Sequence, residues 1–419
     1  MPLGKRYSLM SNWGQQSQNK ANGAMRISDS VYGRLVFSQD YASECAKISL
    51  PKDAQSPILS LNTLCPYYTM FPLDFPLRRL TKADKNDWVL DPFCGRGTTI
   101  FAARLLGLGC VGIDSNPIAA AIAAAKLAHT TSDAVVETAR LFLDDASSPH
   151  SIPEGDFWDL CYHPETLEEI CILRSQLMKS CETAEEVVLR ALLLGILHGP
   201  RQRGLPTYLS NQMPRTYATK PSAAVRYWRR TKNTEPQRID VLDAVKRRAE
   251  YSLSTIPPAS RGAVYFGDAQ NTDTVVPATY KFNWVVTSPP YFGMRTYRPD
   301  QWLRNWFLGG TDTVDYSQEG QLSHSVDKFA EGLSHVWESV AKRCSPGARL
   351  IIRFGYLPSK PVDARQVLRT SLKLANSGWR IRRWIDAGSA NDGKRQSDQF
   401  GRVTKAAVSE VDAYVRLEV

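Results

Sequence analysis

Five short apolar runs, at residues 88–91, 111–114, 264–268, 282–287 and 349–355, do most to limit what this chain can fold into. Each is rich in β-formers and too short for a helix, the pattern of a strand buried on both faces of a parallel sheet. The fifth follows a turn read at Ser345, Pro346 and Gly347. Helical patterns lie between the runs at 98–108, 117–128, 326–343 and 363–376, the last closed by Ser377 and Gly378. Alternating strands and helices predict an α/β chain with a doubly wound, mostly parallel sheet. Two further strands, 379–385 and 412–417, flank a polar, Gly-containing loop, read as a terminal antiparallel hairpin, and bring the sheet to seven strands.

The alternation stops between residues 130 and 259. There His163-Pro164 opens a helix with Leu167, Ile170, Leu173 and Leu177 on one face. Thr183 and Glu186 form a capping box for a helix over 184–198 that Gly199-Pro200 ends, and a third helix is read at 239–253. The 419 residues therefore divide into a polar arm at 1–25, read as flexible, a sheet domain at 26–129 and 260–419, and a mainly helical insertion at 130–259.

Charge follows this division. The chain carries a net +10, and residues 201–261 alone hold 13 bases against 4 acids, interleaved with Tyr208, Tyr217, Tyr227 and Trp228. Clustered cations among aromatics suit contact with phosphates, so the insertion is the candidate target-recognition region. Arg215, Arg226, Arg229 and Arg230 are its candidate contacts. The alternative is a solvated basic face with half-buried aromatics.

Several classes are excluded. The most apolar stretches, 118–128 and 187–198, are interrupted by Lys126 and Arg190, and none reaches the length of a membrane-spanning helix. With no secretory h-region read at the start and eight cysteines lacking any CxxC pair, a cytoplasmic, reducing location is expected, without a zinc ribbon. The six histidines show no ligand spacing, and no metal is expected.

The chemistry-bearing residues stand at the ends of the runs. After the first comes Asp91, Pro92, Phe93, Cys94, Gly95, Arg96, Gly97, Thr98, Thr99: glycines for a tight turn close to a ligand, and an acid to accept from an ammonium or hydroxyl group. Ile100 occupies the third-glycine position of a dinucleotide fingerprint, and no Gly-Lys-Ser/Thr follows, so a nicotinamide dehydrogenase and a phosphate loop are both disfavoured. Asp114 and Ser115 end the second run, with the acid placed for a ribose diol. Asp268 and Ala269 end the third, where an adenine amino group would find an acceptor. Thr287, Ser288, Pro289, Pro290, Tyr291 end the fourth: the prolines stiffen the loop and leave carbonyls exposed, and Tyr291 offers a ring for stacking.

Together these motifs resemble the S-adenosylmethionine-dependent DNA amino-methyltransferases, which modify N4 of cytosine or N6 of adenine. DPFCGRGTT is similar to their glycine loop, GIDSNP to their acidic motif, GDA at 267–269 to their third motif and TSPPY to their catalytic motif. CPYYTMFP at 65–72, with Thr69 and Phe71, resembles the segment that covers the cofactor's methionine end. The resemblance covers about residues 65–128 and 262–418. It implies a class I methyltransferase fold, Rossmann-like, with S-adenosyl-L-methionine as cofactor and double-stranded DNA as partner. It implies further that a flipped base stacks on Tyr291 while its amine donates to Ser288 and the Pro289 carbonyl. The serine of TSPPY leans to cytosine N4; adenine N6, an RNA amino-methyltransferase and a non-catalytic nucleic-acid-binding protein stay open. A restriction-modification or phage-defence setting, with a companion endonuclease, is the expected context. The run after Tyr291 adds Arg295 and Arg298 as candidate nucleic-acid contacts, against the alternative of a helix packing Trp302 and Trp306 inward.

Overall fold

Both faces of the central strands are apolar, and alternate residues enter two separate cores. Val89, Cys110 and Val286 pack into one, while their neighbours Leu90, Val111 and Val285 pack into the other. The computed structural model describes residues 35–39, 56–67, 71–145, 151–199, 208–211, 220–296, 298–314, 320–321, 325–357, 360–389 and 409–418. Its strands are β1 (Leu35–Gln39), β2 (Trp88–Asp91), β3 (Gly109–Asp114), β4 (Gly262–Phe266), β5 (Phe282–Thr287), β6 (Arg295–Thr296), β7 (Gly320–Gln321), β8 (Cys344–Gly355), β9 (Trp379–Ser389) and β10 (Ser409–Leu417).

Eight of them form one sheet in the order β1-β4-β3-β2-β5-β8-β10-β9, and β6 pairs with β7 separately. Strands β4, β3, β2, β5 and β8 run parallel; β10 is antiparallel to β8 and to β9, the expected terminal hairpin. The sheet is thus eight-stranded and mixed, not the seven-stranded one expected. The additional strand, β1, pairs antiparallel with β4 and carries a register shift between Leu35 and Phe37. Five residues with a bulge leave too little period-2 pattern to read locally. Nor do Ser345, Pro346 and Gly347 form a turn ahead of β8. They lie inside it as a bulge, where Phe282 pairs with Cys344 but Trp284 pairs with Arg349, and Gly347 takes φ +76°.

On one face lie α1 (Asp74–Leu80), α2 (Thr98–Leu105) and α3 (Pro117–Ala125). Between β3 and β4 come α4 (Ser132–Asp144), α5 (Asp156–Cys161), α6 (Pro164–Lys179), α7 (Ala184–Ile196), α8 (Pro221–Arg230) and α9 (Val241–Ser252). The read capping box is present at α7, and the read face of α6 is buried in the same core as α2 and α3. The short α10 (Thr272–Val275) precedes β5, and α11 (Arg298–Phe307) follows the proline loop. On the opposite face, α12 (Val326–Ala341) and α13 (Ala364–Leu374) cover the sheet.

Charge is buried with care. Lys126, which interrupts an apolar run, is 1% exposed; its Nζ donates to Asn62 at 2.6 Å, and burial pushes its pKa well below the usual lysine range. Asp412 on β10, wholly buried, receives Arg79 from α1 at 2.6 Å and Arg353 from β8 at 2.8 Å, pinning α1 to the sheet. Among the described residues no helix is long and apolar enough to cross a membrane.

Candidate active site

Chain order reverses between β2 and β5, because β2 is flanked by β3 on one side and β5 on the other. Loops leaving neighbouring strands at such a point diverge and open a crevice at the carboxyl edge of the sheet. The glycine loop leaves β2 there and the proline loop leaves β5.

Asp91 joins them. It has no exposed surface; Oδ1 accepts from the Phe93 amide at 3.1 Å and from Thr287 Oγ1 at 2.6 Å, while Oδ2 has no hydrogen-bonding partner among the described residues. Burial lifts its pKa to about 6 despite the hydrogen bonds from Thr287 and Phe93, and the charge of Asp114 adds to the rise. Gly95 and Gly97 take φ +51° and +80°, the left-handed region that disfavours any side chain. A Cβ at Gly97 would lie 2.9 Å from Ala123 of α3, whereas one at Gly95 would enter open space. Pro92 and Thr98 are buried beneath this turn; Phe93 is half-buried and meets Trp337 edge-on at 6.4 Å.

Asp114 closes the turn from the other side. Its Oδ2 accepts from the Gly95 amide at 2.8 Å and its Oδ1 from the Asn116 amide at 2.8 Å. Burial raises this carboxyl to about 6 as well, against the lowering by those two amides. Each oxygen keeps acceptor capacity beyond its single bond. Ser115 is half-buried beside it. Phe71 lies half-buried and edge-on to Phe75 at 5.2 Å, whereas Thr69 lies outside the described residues. Asp268 caps its own turn by accepting from the Gln270 amide at 2.9 Å, and Ala269 is buried.

In the proline loop, Ser288 and Pro290 are half-buried and Pro289 is buried. Tyr291 is only 9% exposed: its ring meets Phe354 edge-on at 5.6 Å and its hydroxyl donates to Glu410 of β10. Glu410 and Thr287 were not read as site residues. Glu410 contacts Tyr291 across 119 positions of sequence, and no local pattern signals such a pair.

The basic candidates separate by position. On α8, Ala224 and Trp228 are buried and Arg226, Arg229 and Arg230 are exposed; Arg229 pairs with Asp156 at 2.7 Å and Arg230 lies over the Tyr227 ring. The side chains of Arg295 and Arg298, and the whole of Arg215, lie outside the described residues. Of the aromatics that follow Tyr291, Trp302 and Trp306 turn inward: Trp158 of α5 lies 5.4 and 4.5 Å from their rings. The inward-packing alternative is the one realised for these two, because α11 must cover the insertion's aromatic side.

The crevice fits S-adenosyl-L-methionine. A buried acid oxygen with no donor suits an ammonium group, an acid with spare acceptor capacity suits a diol, and the open side of Gly95 admits close approach of a ligand to the backbone. No curated protein matches the chain. Among solved structures it is similar to the rRNA methyltransferase aviRa from Streptomyces viridochromogenes, at 12% identity over 88% of this chain and 94% of that one, with a TM-score of 0.33. It is similar also to a 16S rRNA (adenine(1408)-N(1))-methyltransferase from Catenulisporales acidiphilia, at 10% identity over 84% and 93%, with a TM-score of 0.31. At that level the likeness adds nothing to what the strand order says of the fold. A family model described as DNA methylase matches residues 53–125. The segment that carries the glycine loop and the acidic turn is therefore similar to the DNA methylases.

Proposed function

We propose that the protein is a DNA methyltransferase that uses S-adenosyl-L-methionine to methylate the exocyclic amine of a base turned out of the duplex, with cytosine N4 the favoured target. The observation that carries this reading is the Thr287–Asp91 hydrogen bond of 2.6 Å, which sets the amine-facing loop and the unpartnered Asp91 oxygen side by side at the switch point. The match of residues 53–125 to a DNA methylase model supports it.

When bound, the cofactor supplies a methyl group activated by a sulfonium. Asp91 would hold its ammonium end and Asp114 would accept from its ribose hydroxyls, while Gly95 would let the backbone come close and Gly97 would keep the turn packed on α3. Phe71, Phe93 and the Asp268–Ala269 turn flank the remainder. Ser288 and the Pro289 carbonyl would accept the hydrogens of the target amine, orienting its nitrogen and stabilising the positive charge that develops on it. Tyr291 is the stacking surface for the extruded base, and its bond to Glu410 fixes the plane of the ring. Duplex phosphates are met by the exposed arginines of α8, with Arg215, Arg295 and Arg298. The biological setting proposed is restriction-modification or phage defence.

Nucleoside mass spectrometry on DNA from a methylation-deficient host expressing the protein tests this. N4-methylcytosine is expected, and Tyr291→Ala and Ser288→Ala should each lower it by about a hundredfold or more. N6-methyladenine in its place would keep the mechanism and overturn the base. Methylated RNA with unmodified DNA would overturn the DNA substrate.

The two raised carboxyls give a pH signature. Both are raised to about 6, and protonation of either removes its charge and turns one acceptor oxygen into a donor, which weakens its hold on the ammonium or the diol. Calorimetric affinity for S-adenosylhomocysteine is expected to be flat above about pH 7 and to fall by at least about tenfold by pH 5. A flat profile down to pH 5 would show that neither carboxyl faces the ligand.

A further inference from the structure

Asn116, two residues beyond the ribose-facing acid, has every polar group of its side chain engaged. Its Oδ1 accepts from the Ile118 amide at 3.0 Å and caps α3; its Nδ2 donates to Tyr67 Oη at 2.8 Å and to Gln301 Oε1 at 2.9 Å. Its own amide is the donor that holds Asp114 Oδ1. Gln301 lies 185 positions away in sequence, on the helix that follows the proline loop, and is 4% exposed.

That helix is held in place from the far side. Arg304, one turn further along α11, donates from Nε to the Leu194 carbonyl at 2.9 Å and from Nη1 to the Pro66 carbonyl at 2.8 Å. Trp302 lies against Phe157 and Trp158, at 5.0 and 5.4 Å between rings. Gln301 is therefore presented from a fixed support, and Asn116 is the only link between it and the acid in these contacts.

We propose that Gln301 is a positioning residue for ribose recognition, acting through Asn116 to hold the Asp114 carboxylate in the plane that a diol requires. The proposal rests on the cofactor reading above. A carboxylate receiving two hydroxyl groups must be held within a few tenths of an ångström, and a ligating group is held that tightly only when its neighbours' hydrogen bonds are complete. Without the Gln301 acceptor, one hydrogen of Asn116 Nδ2 loses its partner, the Asp114–Asn116 turn is held less tightly by the remaining bonds to Tyr67 and Ile118, and the acceptor oxygens shift relative to the diol. The helix that begins just after the catalytic loop thus also governs the cofactor's sugar.

The test is calorimetry on the full chain without nucleic acid, using S-adenosylhomocysteine and its 2′-deoxyribose counterpart. The natural protein should prefer the ribose ligand by about tenfold or more, the worth of a charge-assisted hydrogen bond. Gln301→Met keeps the shape and removes the acceptor; Asn116→Asp keeps the α3 cap and removes the donor. Each should weaken the ribose ligand about tenfold and leave the deoxyribose ligand within about twofold, beside a modest fall in the urea midpoint of the ligand-free protein from the lost buried hydrogen bond; the double variant should be no worse than either. Undiminished preference in both variants, or equal weakening of both ligands, would overturn the proposal. Binding without preference by the natural protein would overturn it while leaving the cofactor reading intact, and no binding at all would overturn both.

Discussion

Replacing Asp91 by asparagine is expected to abolish cofactor binding while making the ligand-free protein more stable. Asp91 is wholly buried, and its pKa of about 6 lies above the ordinary aspartate value of 3.8 because burial penalises the charge. An acid whose folded pKa is raised binds its proton more tightly in the folded state. Its contribution is therefore fully present at low pH and is lost as pH rises through about 6. At neutral pH the folded protein bears the cost of the ionised form, about 3 kcal/mol at most for a rise of some two units. Asparagine removes the charge and keeps an oxygen for the Phe93 amide and Thr287, but its new NH₂ group needs an acceptor. The net gain should be about 1–2 kcal/mol in urea unfolding at pH 8, vanishing near pH 5, beside a loss of S-adenosylhomocysteine affinity of about a hundredfold or more. Unchanged affinity would remove Asp91 from the cofactor site. This is the exchange expected when a group is kept charged and unpartnered for a ligand rather than for the fold.

Removing the guanidinium of Arg104 should do the reverse. This side chain at the end of α2 is fully buried and donates mainly to backbone: Nε to Pro258 O at 2.7 Å, Nη1 to Lys126 O at 2.8 Å and Ala128 O at 3.0 Å, and Nη2 to Pro257 O at 3.0 Å and to His129 Nδ1 at 3.4 Å. Lys126 and Ala128 lie where the chain leaves the sheet for the helices between β3 and β4, and Pro257 and Pro258 where it returns, so one cation fastens both ends to α2. Burial lowers its pKa to about 10, which leaves it charged at any physiological pH. Arg104→Met fills similar volume and strands three buried carbonyls and a half-buried one, at an expected loss of about 4 kcal/mol or more. Arg104→Lys reaches fewer of them and should lose about half as much. Urea unfolding decides this; a loss below about 1 kcal/mol for the methionine variant would mean that water replaces the guanidinium. Site residues lie on strand ends away from this clamp, so the affinity of the folded fraction for S-adenosylhomocysteine should not change.

The central strands were readable because a strand buried on both faces needs nothing beyond its own composition to be recognised. Runs 88–91 and 282–287 became β2 and β5 with those bounds. Helices whose first turns carry their own caps were readable for the same reason: Thr183 and Glu186 satisfy the first amides of α7 from within four residues. The loops between them carried the candidate chemistry, since a left-handed glycine or a Pro-Pro pair restricts the backbone wherever it occurs. Local sequence also separated Asp91 and Asp114 from ordinary surface acids, by placing each at the end of an apolar run.

What local sequence could not give is which groups meet across the fold. β1 exists because β4 offers it an edge, and its five residues carry no periodicity of their own. Lys126 and Arg190 looked like interruptions of apolar runs, yet both are buried, Lys126 with its charge on Asn62. Trp302 and Trp306 could equally have faced a duplex; the facing surface of Trp158 turned them inward. The alternation, the caps and the two loops were legible locally, because each depends on contacts within a few residues. That Thr287 partners Asp91, that Glu410 holds Tyr291 and that Gln301 reaches Asn116 follows from packing between distant segments. Those hydrogen bonds span more than a hundred positions, and their geometry is fixed by strand order and helix packing rather than by any neighbour in the chain.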